Sequence, residues 1–308
     1  MRAIFLVPVL IACSADDPTA GLVSIELQTE SLEIGSRQSA SFTIMGSYED
    51  GTEVDLSAHA ELSSSDEDVL VLGLVESTRG HGIGEGLATV SAMIGEVESN
   101  ALELAVTIDP VQVGDLVINE VLADDGDIDA NGDGETSDES DEFIELVNVS
   151  FYTVDLSGVK VRDSNYAEIG PRHVFASPTH LRPGEAIVVF GGGSAESLSA
   201  EGAQFVVVSN EDSGLDYGLS LNNSGEYISL VNEDAAVLVN LAYGDDDETG
   251  TVETVEDASM NRSPDIVGPD YLDHRLIEGS STTHSPGTRA NGSAFPDLDE
   301  WFSQLLPD

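Results

Sequence analysis

From Gly21 to Asp109 apolar residues recur at every second position in short runs, and no stretch keeps a 3.6-residue apolar period. Val23, Ile25 and Leu27 alternate with polar neighbours, as do Phe42 and Ile44, then Leu87 to Met93, then Leu102 to Ile108. That period is the mark of a half-buried strand. Gly and Asp/Ser clusters separate the runs at sandwich-like spacings, and Asp50-Gly51 supplies a hairpin turn. Past Gly114 the pattern resumes in the runs Asp115–Leu122, Asp141–Asn148, Val154–Asp163, Leu181–Phe190, Leu219–Leu230 and Val237–Gly244. Asp109-Pro110 and Gly114 mark a boundary between two regions, 21–109 and 114–292. The 308 residues have room for both, and a hydrophobic content of 40% is enough for packed cores.

The N-terminus has a different character. Met1-Arg2 precedes ten apolar residues that end at Ala12, followed by Cys13, the only cysteine. A positive start, a short apolar run and a small residue before the break form the pattern of an export signal. Ten residues are too few for a spanning helix, which needs about 20. Leu10-Ile11-Ala12-Cys13 resembles a bacterial lipobox. The resemblance implies a signal peptide over 1–12, a lipid on Cys13 and a polar tether over 13–20. Two or three acyl chains there would hold the chain stably at a membrane. Ser14 after the cysteine favours the outer membrane or cell surface. A lone cysteine also excludes internal disulfides, so stability must come from burial.

Within 21–109, Leu32-Glu-Ile-Gly35, Tyr48 to Leu56, Ser63-Ser-Ser-Asp66 and Gly84 to Val90 resemble a group 2 bacterial immunoglobulin-like domain, which implies a spacer or adhesive module. Leu62 stands near the place of that family's tryptophan. Within 114–292, Ile118-Asn-Glu120, Glu142-Phe-Ile-Glu-Leu-Val-Asn148, Asp155-Leu-Ser-Gly158, Leu181-Arg-Pro-Gly-Glu185 and Leu221-Asn-Asn-Ser-Gly-Glu226 fall in the order of a lamin tail domain. Ala258 to Asp265, His274 and Ser285-Pro-Gly287-Thr continue the resemblance. Val159 stands where the family has an aromatic. The implied fold is all-β: two tandem immunoglobulin-like β-sandwiches. A short C-terminal helix is expected in the segment 293–308, where Phe295, Leu298, Trp301, Phe302, Leu305 and Leu306 give an amphipathic pattern.

Charge narrows the partners. Ten Lys+Arg against 59 Asp+Glu leave a net charge of -49, which repels nucleic acid and anionic lipid head groups and attracts cations. The densest acidic stretch runs from Asp124 to Asp141. Alternate Asp and Asn oxygens on a turning backbone can converge on one hard cation. One register uses Asp127, Asp129 and Asn131 with Gly132 at the turn and Asp138 closing. A second uses Asp129, Asn131 and Asp133 with Gly134 at the turn and resembles a dockerin-type loop, with Glu135 within it. Neither supplies a bidentate glutamate or flanking helices. Two readings stay open, a calcium loop inserted between strands and a solvated acidic loop.

No catalytic set is legible. Glu120, Glu142 and Glu145 flank strands and read as acceptors that cap loops or as solvated edge charges. The six histidines show no tight metal spacing, although His173, His180, His274 and His284 are free to meet in space. Gly191-Gly-Gly-Ser194 is not a nucleophile elbow. The expected function is a non-catalytic binding or scaffolding lipoprotein of the cell envelope, facing an unidentified surface protein or glycan partner. The alternatives are a metal-dependent hydrolase using carboxylates and a purely structural envelope protein.

Overall fold

The computed structural model describes residues 17–74, 76–124, 126–137, 139–165, 167, 170–208, 218–247, 252–296 and 300–301. Contacts divide it into two compact units. The first takes the residues up to Ile34, Ser39–His81 and Gly86–Val106; the second takes Gly35–Gln38, Gly82–Glu85 and everything from Thr107.

The first unit is built from two mainly antiparallel sheets. In one, Leu22–Thr29 pairs with Ser39–Tyr48, which continues to Arg79–Gly82 and Leu70–Leu72, with Glu53–Asp55 at the side. In the other, Glu33–Gly35, Leu102–Thr107, Gly86–Ile94 and Glu61–Ser64 follow one another, with Val97–Glu98 on Gly86–Ile94. Most of the period-two residues point inward: Ile25, Leu27, Phe42, Ile44, Ala88, Val90, Leu104 and Val106 are buried, while Val23, at a register shift in its strand, is exposed. Gly51 takes φ +83° in the Asp-Gly turn, where the Thr52 backbone N–H donates to Asp50 Oδ1.

The second unit has a six-stranded sheet facing a four-stranded one. The six run in the order Ala203–Val207, Ala186–Phe190, Phe143–Asn148, Leu116–Leu122, Met260–Ser263, Asp270–Asp273. The four run His173–Val174, Lys160–Arg162, Gly225–Val231, Val237–Gly244. A small third sheet joins Asp109–Pro110, Val154–Asp155 and His180–Leu181. Ile118, Ile144, Leu146, Val161, Ile187, Ile228 and Leu230 fill the main core. The alternate residues of the same strands are buried as well. Phe143, Val188 and Phe190 pack under Ala130 and Leu198, and Val147 and Ala186 pack under Ile266, Phe295 and Trp301. The wide sheet is therefore covered on both faces. This explains why Phe143–Asn148 is buried at every position although its residues alternate in direction.

One expectation is corrected. Among the described residues there is no α-helical element, only strands and two single-turn 3-10 helices, Ser57–His59 and His274–Leu276. In the segment 293–308, residues 293–296 are irregular, Glu300 and Trp301 have helical backbone without forming an element of described bounds, and residues 297–299 and 302–308 lie outside the described part. Side-chain docking holds the described residues of the segment. Phe295 and Trp301 are 3% and 2% exposed, and the indole Nε1 donates to Ser150 O at 3.0 Å. The stretch Leu219–Leu230 is also shorter as a strand than its pattern implies, since pairing starts only at Gly225. Leu219 and Leu221 are nonetheless buried.

Candidate functional site

The acidic loop connects two central strands, Leu116–Leu122 and Phe143–Asn148. Its shape comes from carboxylates and amides that accept hydrogen bonds from its own backbone. Asp141 is fully buried. Its Oδ1 accepts from the N–H groups of Ala130 and Asn131, and its Oδ2 from that of Ser137. Asn131, also fully buried, accepts from the Asp133 N–H and sends its Nδ2 toward Gly192 O at 3.3 Å. Asp133 accepts from the N–H groups of Glu135 and Ser194, and Asp129 from that of Gly134. Gly132 and Gly134 take φ values of +71° and +91°, which a side chain would strain. A Cβ on Gly193 would fall 2.3 Å from Asp133 Oδ2, so the Gly191-Gly-Gly run is there for close approach to this loop.

The expected ligand set is only partly gathered. Asp129, Asn131 and Asp133 share the tight turn, while Asp127 and Glu135 stand exposed on its flanks. Asp138 and Cys13 lie outside the described residues. Among the described residues no group of three or more His, Cys, Asp or Glu side chains is placed to hold a metal ion. The four histidines do not meet at one point, although His274 and His284 both lie near Glu120. His173 packs edge-on against Phe175 with ring centroids 4.5 Å apart, and burial pushes its pKa down to about 4. His284 lies 6.5 Å from the Phe143 ring, and burial lowers its pKa too. His180 pairs within the small third sheet, and His274 belongs to the cluster below.

The larger polar constellation lies on the outer face of the wide sheet. Glu120 and Glu145 are cross-strand partners with no exposed surface. Glu120 accepts from the Ser285 N–H at 2.9 Å, the Ser285 hydroxyl at 2.8 Å and the Ser259 hydroxyl, with His274 Nδ1 at 3.4 Å. Glu145 accepts from Asn119 Nδ2 at 2.9 Å and the Gly287 N–H at 2.7 Å. Burial, and next the Glu120 charge, hold its carboxyl well above the ordinary glutamate range. Asn119 reaches on to Asp265, and its own Oδ1 accepts from the Ile266 N–H. Asp265 also accepts from Asn261 Nδ2 and from the Ala290 N–H. Glu142 accepts from the Leu221 N–H at 3.0 Å. These carboxylates cap backbone, and Glu120 and Glu145 have no solvent path to a substrate.

Ser259, Asn261, Asp265, His274, Ser285 and Gly287 all come from the stretch that continues the lamin-tail resemblance, yet nothing in the sequence ties them to Glu120 and Glu145. The available signal was three polar residues set inside apolar strands, Asn119 and Glu120 in one and Glu145 in the next.

A module of two β-sandwich units, with its buried carboxylates spent on its own backbone, is the class that fold and site define. Residues 110–246 match the family model described as Lamin Tail Domain. The match covers less than half of the chain, so it names a lamin-tail-domain segment. Such segments are non-enzymatic modules. No curated protein is significantly similar to the chain. Among solved structures, domains 5–6 of the S-layer protein SbsC are 14% identical over 72% of this chain and 95% of that one, with a TM-score of 0.25. Domains 6–7 of the same protein give 12% identity, 71% and 97% coverage and a TM-score of 0.22. Scores this low carry no inference about fold or function.

Proposed function

We propose that the protein is an exported, lipid-anchored module that binds or scaffolds at the cell surface without catalysis. The lamin-tail-domain segment at 110–246 is the observation that carries this reading. The buried carboxylates agree with it, because each accepts hydrogen bonds that hold the chain to itself. The anchor rests on Leu10-Ile-Ala-Cys13, and the group 2 immunoglobulin-like domain over 21–109 would serve as a spacer between membrane and lamin-tail unit. Calcium is proposed as a ligand of the acidic loop through Asp129, Asn131 and Asp133, which share one doubly turned backbone at Gly132 and Gly134. Asp127, Glu135 and Asp138 are the further ligands this proposal names.

Fractionation after expression in a bacterial host tests the anchor. The native chain is expected in the detergent-soluble membrane fraction, labelled by an alkynyl fatty acid, and Cys13→Ser is expected to lose both properties. Unchanged partitioning and labelling in Cys13→Ser would overturn the anchor. Crosslinking on intact cells is expected to join the native chain to a discrete surface partner. Metal-dependent hydrolysis of phosphate or ester substrates by the purified chain would overturn the non-catalytic reading.

A further inference from the structure

A cleft of about 380 Å³ opens on the second unit, away from the acidic loop, between the turn Ser263–Val267 and the segment Arg289–Asn291. Ile277, Glu278 and Trp301 complete its wall. That volume falls within the range of small-ligand sites.

The cleft is preformed. Asp265 ties its two sides together, accepting from Asn119 and Asn261 on the sheet side and from the Ala290 N–H on the other. Ile266 sits between them at φ +68°, a left-handed conformation that a β-branched residue adopts only when its surroundings enforce it. Its N–H is fixed to Asn119 Oδ1 at 2.8 Å and its side chain is buried. The next residue, Val267, is 71% exposed at the cleft edge. Strained backbone of this kind concentrates at ligand clamps.

The cleft lining holds one of the chain's ten cationic side chains, Arg289, beside the carboxylates of Asp265 and Glu278. Arg172 and Arg262 are absorbed by their own surroundings, the first by buried Asp163, the second by Ile118 O, Gly268 O and the Tyr271 ring. Arg289 is different. Its Nε is buried without a hydrogen-bond partner, and among the described residues its guanidinium meets one half-exposed carboxylate, Glu300, at 3.1 Å. Exposed pairs of this type are weak and readily exchanged. A second carboxylate could take both the Nε and a terminal nitrogen in the bidentate geometry that guanidinium favours.

We infer that the cleft between Ser263–Val267 and Arg289–Asn291 binds an apolar carboxylate, with the carboxylate on Arg289 in place of Glu300 and the apolar group against Ile277, Val267 and Trp301. A peptide C-terminus and a short fatty acid share this chemistry. Glu278 at the rim disfavours a second negative charge. The inference stands on the cleft alone and does not depend on how the chain is anchored.

Trp301 is the sole tryptophan and lines the cleft, so its emission reports occupancy. The full chain is titrated at fixed ionic strength with N-acetyl-leucine, its primary amide and hexanoate. N-acetyl-leucine is expected to change the emission saturably, with the amide and Arg289→Gln each weakening binding about tenfold or more. Arg289→Lys is expected to recover part of the loss, and Glu300→Gln to tighten binding because the competing carboxylate is gone. Hexanoate as tight as N-acetyl-leucine assigns the site to fatty acids, and weaker hexanoate assigns it to peptide termini. No saturable response at millimolar concentration, or equal binding of the amide, would overturn the inference. If Arg289→Gln lowers the melting temperature, the Glu300→Gln arm decides, and unchanged or weaker binding there overturns it.

Discussion

Glu145 stands with no exposed surface opposite Glu120, and two carboxylates in that position cannot both ionise cheaply. In the unfolded chain its carboxyl ionises near its ordinary 4.5, whereas in the folded chain it stays protonated to much higher pH. The sign follows from that difference. The stability it contributes is complete below about pH 4.5 and is lost as pH rises toward and through the folded value. Glu145→Gln keeps the group neutral at every pH. Its melting temperature relative to the native chain is expected to climb as pH goes from 4 to 8, by at least about 3 °C, the shift that about 1 kcal/mol makes in a unit of this size. A difference that stays flat across that range would refute the assignment. At this scale the sequence was legible in part. A glutamate inside the run Phe143-Ile-Glu-Leu-Val-Asn148 reads as a group with something to satisfy. Its donors, Asn119 Nδ2 and the Gly287 N–H, lie 26 and 142 residues away, and no local pattern encodes that.

The strand Met260–Ser263 shows the same dependence between elements. It pairs with Leu116–Leu122 on one side and Asp270–Asp273 on the other, so it belongs to the interior of the wide sheet. The matched family segment ends at 246, before this strand begins. Ser259, Ser285 and Gly287, the donors to Glu120 and Glu145, also lie beyond it. A fragment of residues 110–246 would therefore lose both the donors and the cover of two carboxylates, and would expose a sheet edge together with the apolar face beside them. It is expected to show no cooperative unfolding transition, while the fragment 107–308 is expected to show one in urea. Equal cooperativity in both would mean that the C-terminal segment only decorates the sheet. The tail contributes to the same closure. Gly184, at φ +76°, leaves room for Pro296 O, which would lie 3.0 Å from a Cβ there. The amphipathic pattern of the tail was visible in the sequence, but the sheet surface that receives Phe295 and Trp301 was not.

Over the whole molecule the net charge of -49 sets the response to ions. Mutual repulsion opposes compaction, so melting temperature is expected to rise as NaCl goes from ~0.1 M to ~1 M, where the screening length falls from ~10 Å to ~3 Å. Calcium must then be tested at constant high salt. A further rise with millimolar calcium but not with magnesium, lost in the Asp129/Asn131/Asp133→Ala variant, is the outcome expected of a ligand of the folded state. An equal response to both ions, or one that survives in the variant, would reduce the loop to solvated surface.

The sequence by itself determined many of the longer strands, because period-two alternation is a local property that each such run carries alone, while Arg79–Gly82, Ala203–Val207 and Asp270–Asp273 carry no such run. The acidic loop was legible for the same reason, its Asp, Asn and Gly residues being neighbours along the chain. Tertiary structure decided what the outer face of the wide sheet does. It buried Glu145 and Val147 beneath segments from the far end of the chain, raised the pKa of the Glu145 carboxyl, and set the strained Ile266 beside Arg289 at the wall of a cleft. Those outcomes depend on donors and walls brought together across more than a hundred residues, and burial and hydrogen bonding act on distance in space, whatever the separation in sequence.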